Sequence, residues 1–457
     1  MKVTQVAICP TDASNAAGRP ALTPELLAAS GARYSRNNEG LEAILSKIDP
    51  NNLDKSVDGI FKMIDYGHQS IADMAPVAMF IDGISMWLAY HIWALCPTAG
   101  GQESSTRYLD FSGDSLPDPE AVGIPPEKRA AWKTAMTVAL DAYGKALAFW
   151  ENEGKKNPTA TRIPRSLLED PSEKAAKTVA RMRRNYAFDR ARYFLPAALP
   201  TNVMMIQSAR AWTTLCQNLL SHPLLEAQNL GNMIREELAL AAPRLLRHAV
   251  AKESFQHGNL SILRRWQIAA QSAQGAFSEA APNAHLHVYP ATDEIDFARD
   301  LAYHDNRYAF LGPDLARTAI RFKWDAVALG DIRDLNRHRT GTKWCPLVPQ
   351  GFYGAQDQTS DPTALKFLQE IGRATSAGAK AALQEGDWTF VYHLLLGTQF
   401  PFEHTTTADK FLYEAELRTG VGAHYRYARH LHDALEIWFE KYPETKDLVL
   451  EGSAEPE

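Results

Sequence analysis

The chain has 457 residues, with 48 Lys and Arg against 54 Asp and Glu and a formal net charge of −6. Its 45% hydrophobic and 22% charged content is that of a folded globular protein and excludes disorder or a coiled coil. The mild acidity argues against a nucleic-acid-binding surface, but two or three arginines in one cleft could still hold a small anion. The length implies roughly two to four domains.

In chain order, the N-terminal MKVTQVAICPTDASN has no apolar run of the kind a secretory signal carries. Pro76–Ile81 reads as a strand. The apolar run from Met74 to Pro97 is broken by Asp82, Gly83, Ser85 and His91, so a buried core helix is expected there rather than a membrane span. Residues 129–153, 171–190, 203–220, 223–251, 259–277, 362–384 and 403–441 carry helix formers with apolar residues three and four apart. His285–Tyr289 and Thr318–Lys323 are further strand candidates. Pro- and Gly-rich punctuation at 280–295 marks a joint between halves 1–280 and 281–457, with an insertion at about 110–180 in the first. Cys9, Cys96, Cys216 and Cys345 are scattered without CxxC spacing. Neither a disulfide framework nor a metal site is expected, and a reduced, cytoplasmic setting follows.

The halves share a faint internal similarity. Gly83–His91 aligns without gaps on Gly330–His338, with glycine, leucine and histidine in register. The alignment suggests one unit duplicated.

Two stretches carry the chemistry. Gly100-Gly101-Gln102-Glu103-Ser104-Ser105-Thr106-Arg107-Tyr108 joins paired glycines to hydroxyls and an arginine. Such a stretch can hold a phosphate and an oxygen-rich ring, or simply make a capped turn with a surface ion pair. Arg333-Asp334-Leu335-Asn336-Arg337-His338-Arg339-Thr340-Gly341-Thr342-Lys343 packs four cations and a histidine into eleven residues. It is a local anion site, or a solvated basic helix end.

Together these stretches resemble the flavin-dependent thymidylate synthases. Gln102-Glu103-Ser104-Ser105-Thr106-Arg107-Tyr108 matches that family's nucleotide-binding segment, and Arg337-His338-Arg339 matches its flavin-holding Arg-His-Arg. His68-Gln69-Ser70 is similar to its His-x-Ser/Thr, Arg192 to the arginine of its Arg-x-x-Leu-Pro, Ser208-Ala209-Arg210 to its Asn-Ala-Arg and Leu417-Arg418 to its Leu-Arg. Asp73 replaces the usual glutamate. Tyr90-His91-Ile92 aligns where the first half should carry Arg-His-Arg, and Asn218-Leu219 stands where the first half should carry Leu-Arg.

The resemblance implies an α/β (α+β) fold, helices packed around a small, mostly antiparallel sheet in each half. It implies a fused pseudo-dimer with one signature split between its halves, and a homodimer rebuilding the family's tetramer. The implied reaction is reductive methylation of dUMP, with FAD as cofactor and methylenetetrahydrofolate and NADPH as co-substrates. Alternatives are C5-alkylation of another uridine nucleotide, or a paralogue that binds without turnover. Ser105, Arg107 and Arg337 would be catalytic. Gln102, Glu103, Arg192 and Arg418 would join them in binding substrate. His68, Ser70, Arg210, Arg337, His338 and Arg339 would hold the flavin. No metal, nucleic acid or membrane is implied.

Overall fold

The computed structural model describes residues 1–36, 38, 40–49, 52–65, 69–109, 111–161, 163–273, 277–292, 294–420 and 423–452. Helices surround two small antiparallel sheets, in agreement with the expected class. The first sheet contains β1 (Lys2–Val6), β2 (Pro76–Ser85), β3 (Gly100–Glu103) and β4 (Pro200–Ser208), in the order β1-β2-β4-β3. The second contains β5 (Ala284–Tyr289), β6 (Ala319–Ala328), β7 (Thr342–Trp344), β8 (Gly351–Phe352) and β9 (Thr398–Thr407). Its order is β5-β6-β9-β7, with β8 also paired to β9. No described helix is long and apolar enough to cross a membrane.

Both central strands depart from the sequence expectation. Residues 203–220 begin as β4 and only then become the helix Ala209–Leu220; residues 403–441 likewise begin in β9. In β4 the even positions face out or stand half-covered, while Thr201, Val203, Met205 and Gln207 are buried, a period of two that its Met, Asn and Gln residues obscure. In β9, Pro401 argues against a central strand because it cannot donate to a ladder. It is tolerated because it lies opposite the β6 bulge between Trp324 and Val327, and on its other side in the gap between β7 and β8. The apolar run 74–97 is not one core helix but β2 followed by the helix Met86–Leu95, capped by Ser85.

The same succession of elements occurs twice. β2 and β6 shift register at equivalent points, between Ile81 and Ile84 and between Trp324 and Val327, and each runs directly into a helix. β4 and β9 lead into Ala209–Leu220 and Ala408–Arg418. Two 17-residue helices follow, Leu225–Ala241 and Tyr425–Lys441, each ended by a proline turn. This register corrects the sequence alignment by about one helical turn. Counted from the bulges, Arg337–Arg339 correspond to residues 94–96, and His91 corresponds to Asp334. A slip of four residues keeps a helix's apolar face in phase, which is why the alignment looked acceptable.

By internal packing the chain forms two compact units. One comprises 1–105, 117–123 and 199–264; the other comprises 106–116, 124–198 and 265–457. Each of the expected halves contributes one sheet, but residues 124–198 of the first half belong with the second sheet. Indole hydrogen bonds tie helices down within each unit: Trp212 donates to the Val77 carbonyl at 2.9 Å, Trp324 to that of His430 at 3.1 Å, and Trp132 to that of Tyr392 at 3.0 Å.

Gly101, in the pair that the sequence offered as a place for close ligand approach, has φ +148° and lies against β4. A Cβ there would fall inside the radius of the Met204 carbonyl oxygen. The glycine therefore serves strand pairing. Gly101→Ala should lower stability by about 1–3 kcal/mol in urea titration, and a wild-type midpoint would show that the strand can move aside.

Candidate functional site

The site residues fall into two groups, one in each unit. In the first unit, Gln102 and Glu103 lie on β3, opposite Met204 and Val203, and Ser105 follows that strand half-buried. Ser70 is exposed in the short helix Gln69–Met74. At the start of Ala209–Leu220, Ser208 caps the helix and also contacts Asp73 at 3.2 Å; Arg210 pairs with Asp73 at 2.7 Å. Both side chains of that pair are about half exposed, so the bridge contributes little. His68 lies outside the described residues.

The second unit collects the remaining arginines around a buried carboxylate core. Arg192, 7% exposed, reaches Asp331 and Asp334 with one terminal nitrogen each, both at 2.9 Å. Tyr193 adds its hydroxyl to Asp331 at 3.1 Å. Burial opposes the Arg192 charge, but Asp334, Tyr193 and Asp331 together hold its pKa well above the ordinary value. Asp334 responds in kind: burial pushes its carboxyl up, and Arg192, Arg337 and His424 outweigh that and hold it below the usual carboxylate range. Arg107 makes a two-pronged bond to Asp189, at 2.9 and 2.8 Å, on the helix turn just before Arg192. Burial works against the Arg107 charge too, and Asp189 reverses the balance.

Arg337–Arg339 form the turn after the helix Leu329–Leu335. Arg337 is exposed and touches Asp334 at 3.3 Å. His338 is pushed down to about 4, chiefly by burial, and so is neutral at pH 7. Its Nε2 accepts a 2.8 Å hydrogen bond from Arg418 Nε, which places the ring proton on Nδ1. The Lys343 ammonium caps the His338 carbonyl. Under the turn, His404 pairs with the buried Glu414 at 3.2 Å and bonds the Thr340 carbonyl at 2.7 Å. Among the described residues, the terminal nitrogens of Arg418 have no hydrogen-bond or carboxylate partner.

Burial and then Asp334 raise the pKa of the Tyr427 phenol, against the weaker pull of Arg418 and Arg107. Arg418 Cζ is 5.9 Å from the Tyr427 ring centre. The ring, 6% exposed, stacks on His424 at 5.7 Å. Sequence reasoning missed Tyr427, Asp189, Asp331 and His424. The Asp334–Arg337 spacing of three was visible, but nothing in the sequence paired Arg192 with carboxylates 139 and 142 positions away.

Residues 21–244, just under half of the chain, match the family model described as "Thymidylate synthase complementing protein". A UPF0159 protein of Thermoplasma acidophilum is 25% identical over 482 aligned positions, which cover 91% of this chain and 92% of that protein. A flavin-dependent thymidylate synthase of Geobacter sulfurreducens is 30% identical over 122 residues, 26% of this chain and 51% of that one. A crystal structure of a UMP/dUMP methylase from Streptomyces cacaoi is similar over 54% of this chain and 93% of its own, at 15% identity and a TM-score of 0.33.

The buried carboxylates give the second unit a pH signature. Burial raises the Asp331 carboxyl to about 6 from 3.8, against the pull of Arg192 and Arg426. The folded state then holds this proton more tightly than the unfolded chain, so the group's contribution to stability falls as pH rises between those values and is constant above them. Relative to Asp331→Asn, the wild type should lose about 3 kcal/mol between the two pKa values in urea titrations. A difference that stays flat over that window would mean that Asp331 is ionised throughout.

Proposed function

We propose, from the match of residues 21–244 to the thymidylate synthase complementing protein model, that the chain methylates a uridine nucleotide with the help of FAD. The finer reading is reductive methylation of dUMP at C5, with methylenetetrahydrofolate as carbon donor and NADPH as reductant. One observation supports it above the others. Arg418, aligned by the histidine of Arg337-His338-Arg339 and set over the Tyr427 ring, leaves its terminal nitrogens without a hydrogen-bond or carboxylate partner among the described residues. A half-buried guanidinium with an oriented Nε and open ends is suited to a phosphate or a pyrimidine carbonyl.

Within this reading the arginines divide the work. Arg418 holds the nucleotide and offsets negative charge that develops on its ring, and Arg107, bonded through two nitrogens to Asp189, supports that end of the site. Arg192 is committed to Asp331 and Asp334, so its contribution to nucleotide binding is to orient that carboxylate pair and, through Asp334, Arg337. The exposed Arg337 and half-buried Arg339 fit an anionic cofactor such as the pyrophosphate of FAD. When bound, reduced FAD supplies the hydride. His338, neutral and donating only from Nδ1, keeps Arg418 pointed at the substrate rather than competing with it for the anion.

Purified wild-type protein should carry the visible absorption of flavin, and the Arg337→Ala, Arg339→Ala double variant should be colourless but folded. Full flavin occupancy in that variant would remove the cofactor assignment. Arg418→Ala should weaken dUMP binding by about 1.5–3 kcal/mol, roughly 10- to 150-fold. Calorimetric titration with dUMP and with UMP reads both the loss and the sugar preference. Wild-type affinity in Arg418→Ala would mean that the nucleotide does not touch the second half of the chain.

A further inference from the structure

Two fully buried side chains lie beneath the Arg-His-Arg turn, His404 on β9 and Glu414 on the helix Ala408–Arg418. Counted from the matched bulges, their counterparts in the first half are Met205 and Leu215, which are equally buried. That half carries Ala94, Leu95 and Cys96 where the second carries Arg337, His338 and Arg339. The fold therefore fills both positions with apolar side chains where it has no Arg-His-Arg turn to support. Packing alone does not call for an imidazole and a carboxylate, and burying them has a desolvation cost that Met and Leu avoid.

The contacts show what the pair holds. A carbonyl oxygen can only accept, so His404 Nε2 carries a proton and donates it to the Thr340 carbonyl at 2.7 Å. Its Nδ1 lies 3.2 Å from Glu414 Oε2, and among the described residues no other donor reaches that carboxylate. Burial raises the Glu414 carboxyl, and His338, His404 and Lys343 outweigh it and keep it below the usual range. The Lys343 ammonium takes the His338 carbonyl and reaches that of Thr340 at 3.4 Å. Backbone oxygens at 338 and 340 are thus drawn onto side chains of the protein, while Arg337 stays exposed and Arg339 half-buried. One turn beyond Glu414 on the same helix face, Arg418 bonds His338 Nε2 at 2.8 Å. The helix therefore holds the turn at two points, once through His404.

Resting on the flavin reading above, we propose that His404, held by Glu414, is a positioning residue for the cofactor site. It keeps the Thr340 carbonyl turned into the protein, so that the Arg-His-Arg turn meets the anionic part of the flavin nucleotide without a backbone carbonyl beside its arginines. With that bond lost, the carbonyl is free to rotate outward, and its negative end repels the anion that the turn has to hold.

The test installs the first half's own pair. The His404→Met, Glu414→Leu double variant should fold and melt at or above the wild-type temperature, because exchanging a buried polar pair for apolar residues of similar size is commonly neutral or stabilising. Its FAD affinity, read by calorimetric titration of apo-protein, should fall roughly tenfold or more. His404→Gln keeps an N–H for the Thr340 carbonyl and should stay within about threefold of wild type. Wild-type FAD affinity in the double variant overturns the assignment. So does a double variant that fails to fold, since the pair would then serve the fold itself. A His404→Gln protein as weak as the double variant overturns it too, because the donated N–H would not be what matters. Wild-type protein that binds no FAD would overturn the flavin reading on which the proposal rests.

Discussion

A guanidinium buried between two carboxylates governs the second unit. Arg192 could not sit 7% exposed without compensation, because removing one charge of such a set strands the others in a medium that solvates them poorly. Its two terminal nitrogens fix Asp331 and Asp334 on one side of the helix Leu329–Leu335. Asp334 then touches Arg337, while Asp331 takes the Tyr193 hydroxyl. Tyr193 packs edge-on against Tyr353, which bonds Asp357 at 2.7 Å and carries Arg426 over its ring at 3.8 Å. The start of the Arg-His-Arg turn is thereby anchored to a core that cannot be altered one residue at a time.

The arginines near this core are chemically unequal although the sequence presents them alike. Arg192 and Arg107 meet carboxylates with good geometry, whereas Arg418 meets a neutral imidazole. An imidazole fixes the direction of a guanidinium without cancelling its charge. A carboxylate fixes direction and cancels charge together. Uncancelled positive charge therefore concentrates at Arg418, and the neutral state of His338 preserves it.

Much of this was legible in the sequence, for reasons that differ by element. Long amphipathic helices such as Arg129–Lys156 and Lys366–Gln384 followed from spacing, and β2, β5 and β6 from short apolar runs. β4 and β9 were hidden because their central-strand role is set by tertiary pairing, with methionine, glutamine and a proline where strand formers would be expected. The motif residues were readable from short-range pattern. Their partners were not, because Asp189, Asp331 and Tyr427 carry no signature apart from the fold that brings them near Arg107, Arg192 and Arg418. The aligned histidines misled for the same reason: helical periodicity tolerates a one-turn slip, and only the matched bulges reveal it.

The discontinuous second unit also sets an order of events during synthesis. Its early segments include Trp132, whose indole waits for the Tyr392 carbonyl 260 positions later, and Arg192, whose carboxylates follow after 139 and 142. At about 5–20 residues per second, Trp132 precedes its acceptor by roughly 10 to 50 seconds. Through that interval Arg192 is an ordinary hydrated side chain, and the helix 129–156 lacks the helix Lys366–Gln384 against which it packs. The first unit ends at Arg264 and has every segment it needs while the ribosome is still at work. The charged core, and with it the open end of Arg418, is among the last parts of the molecule to come into being.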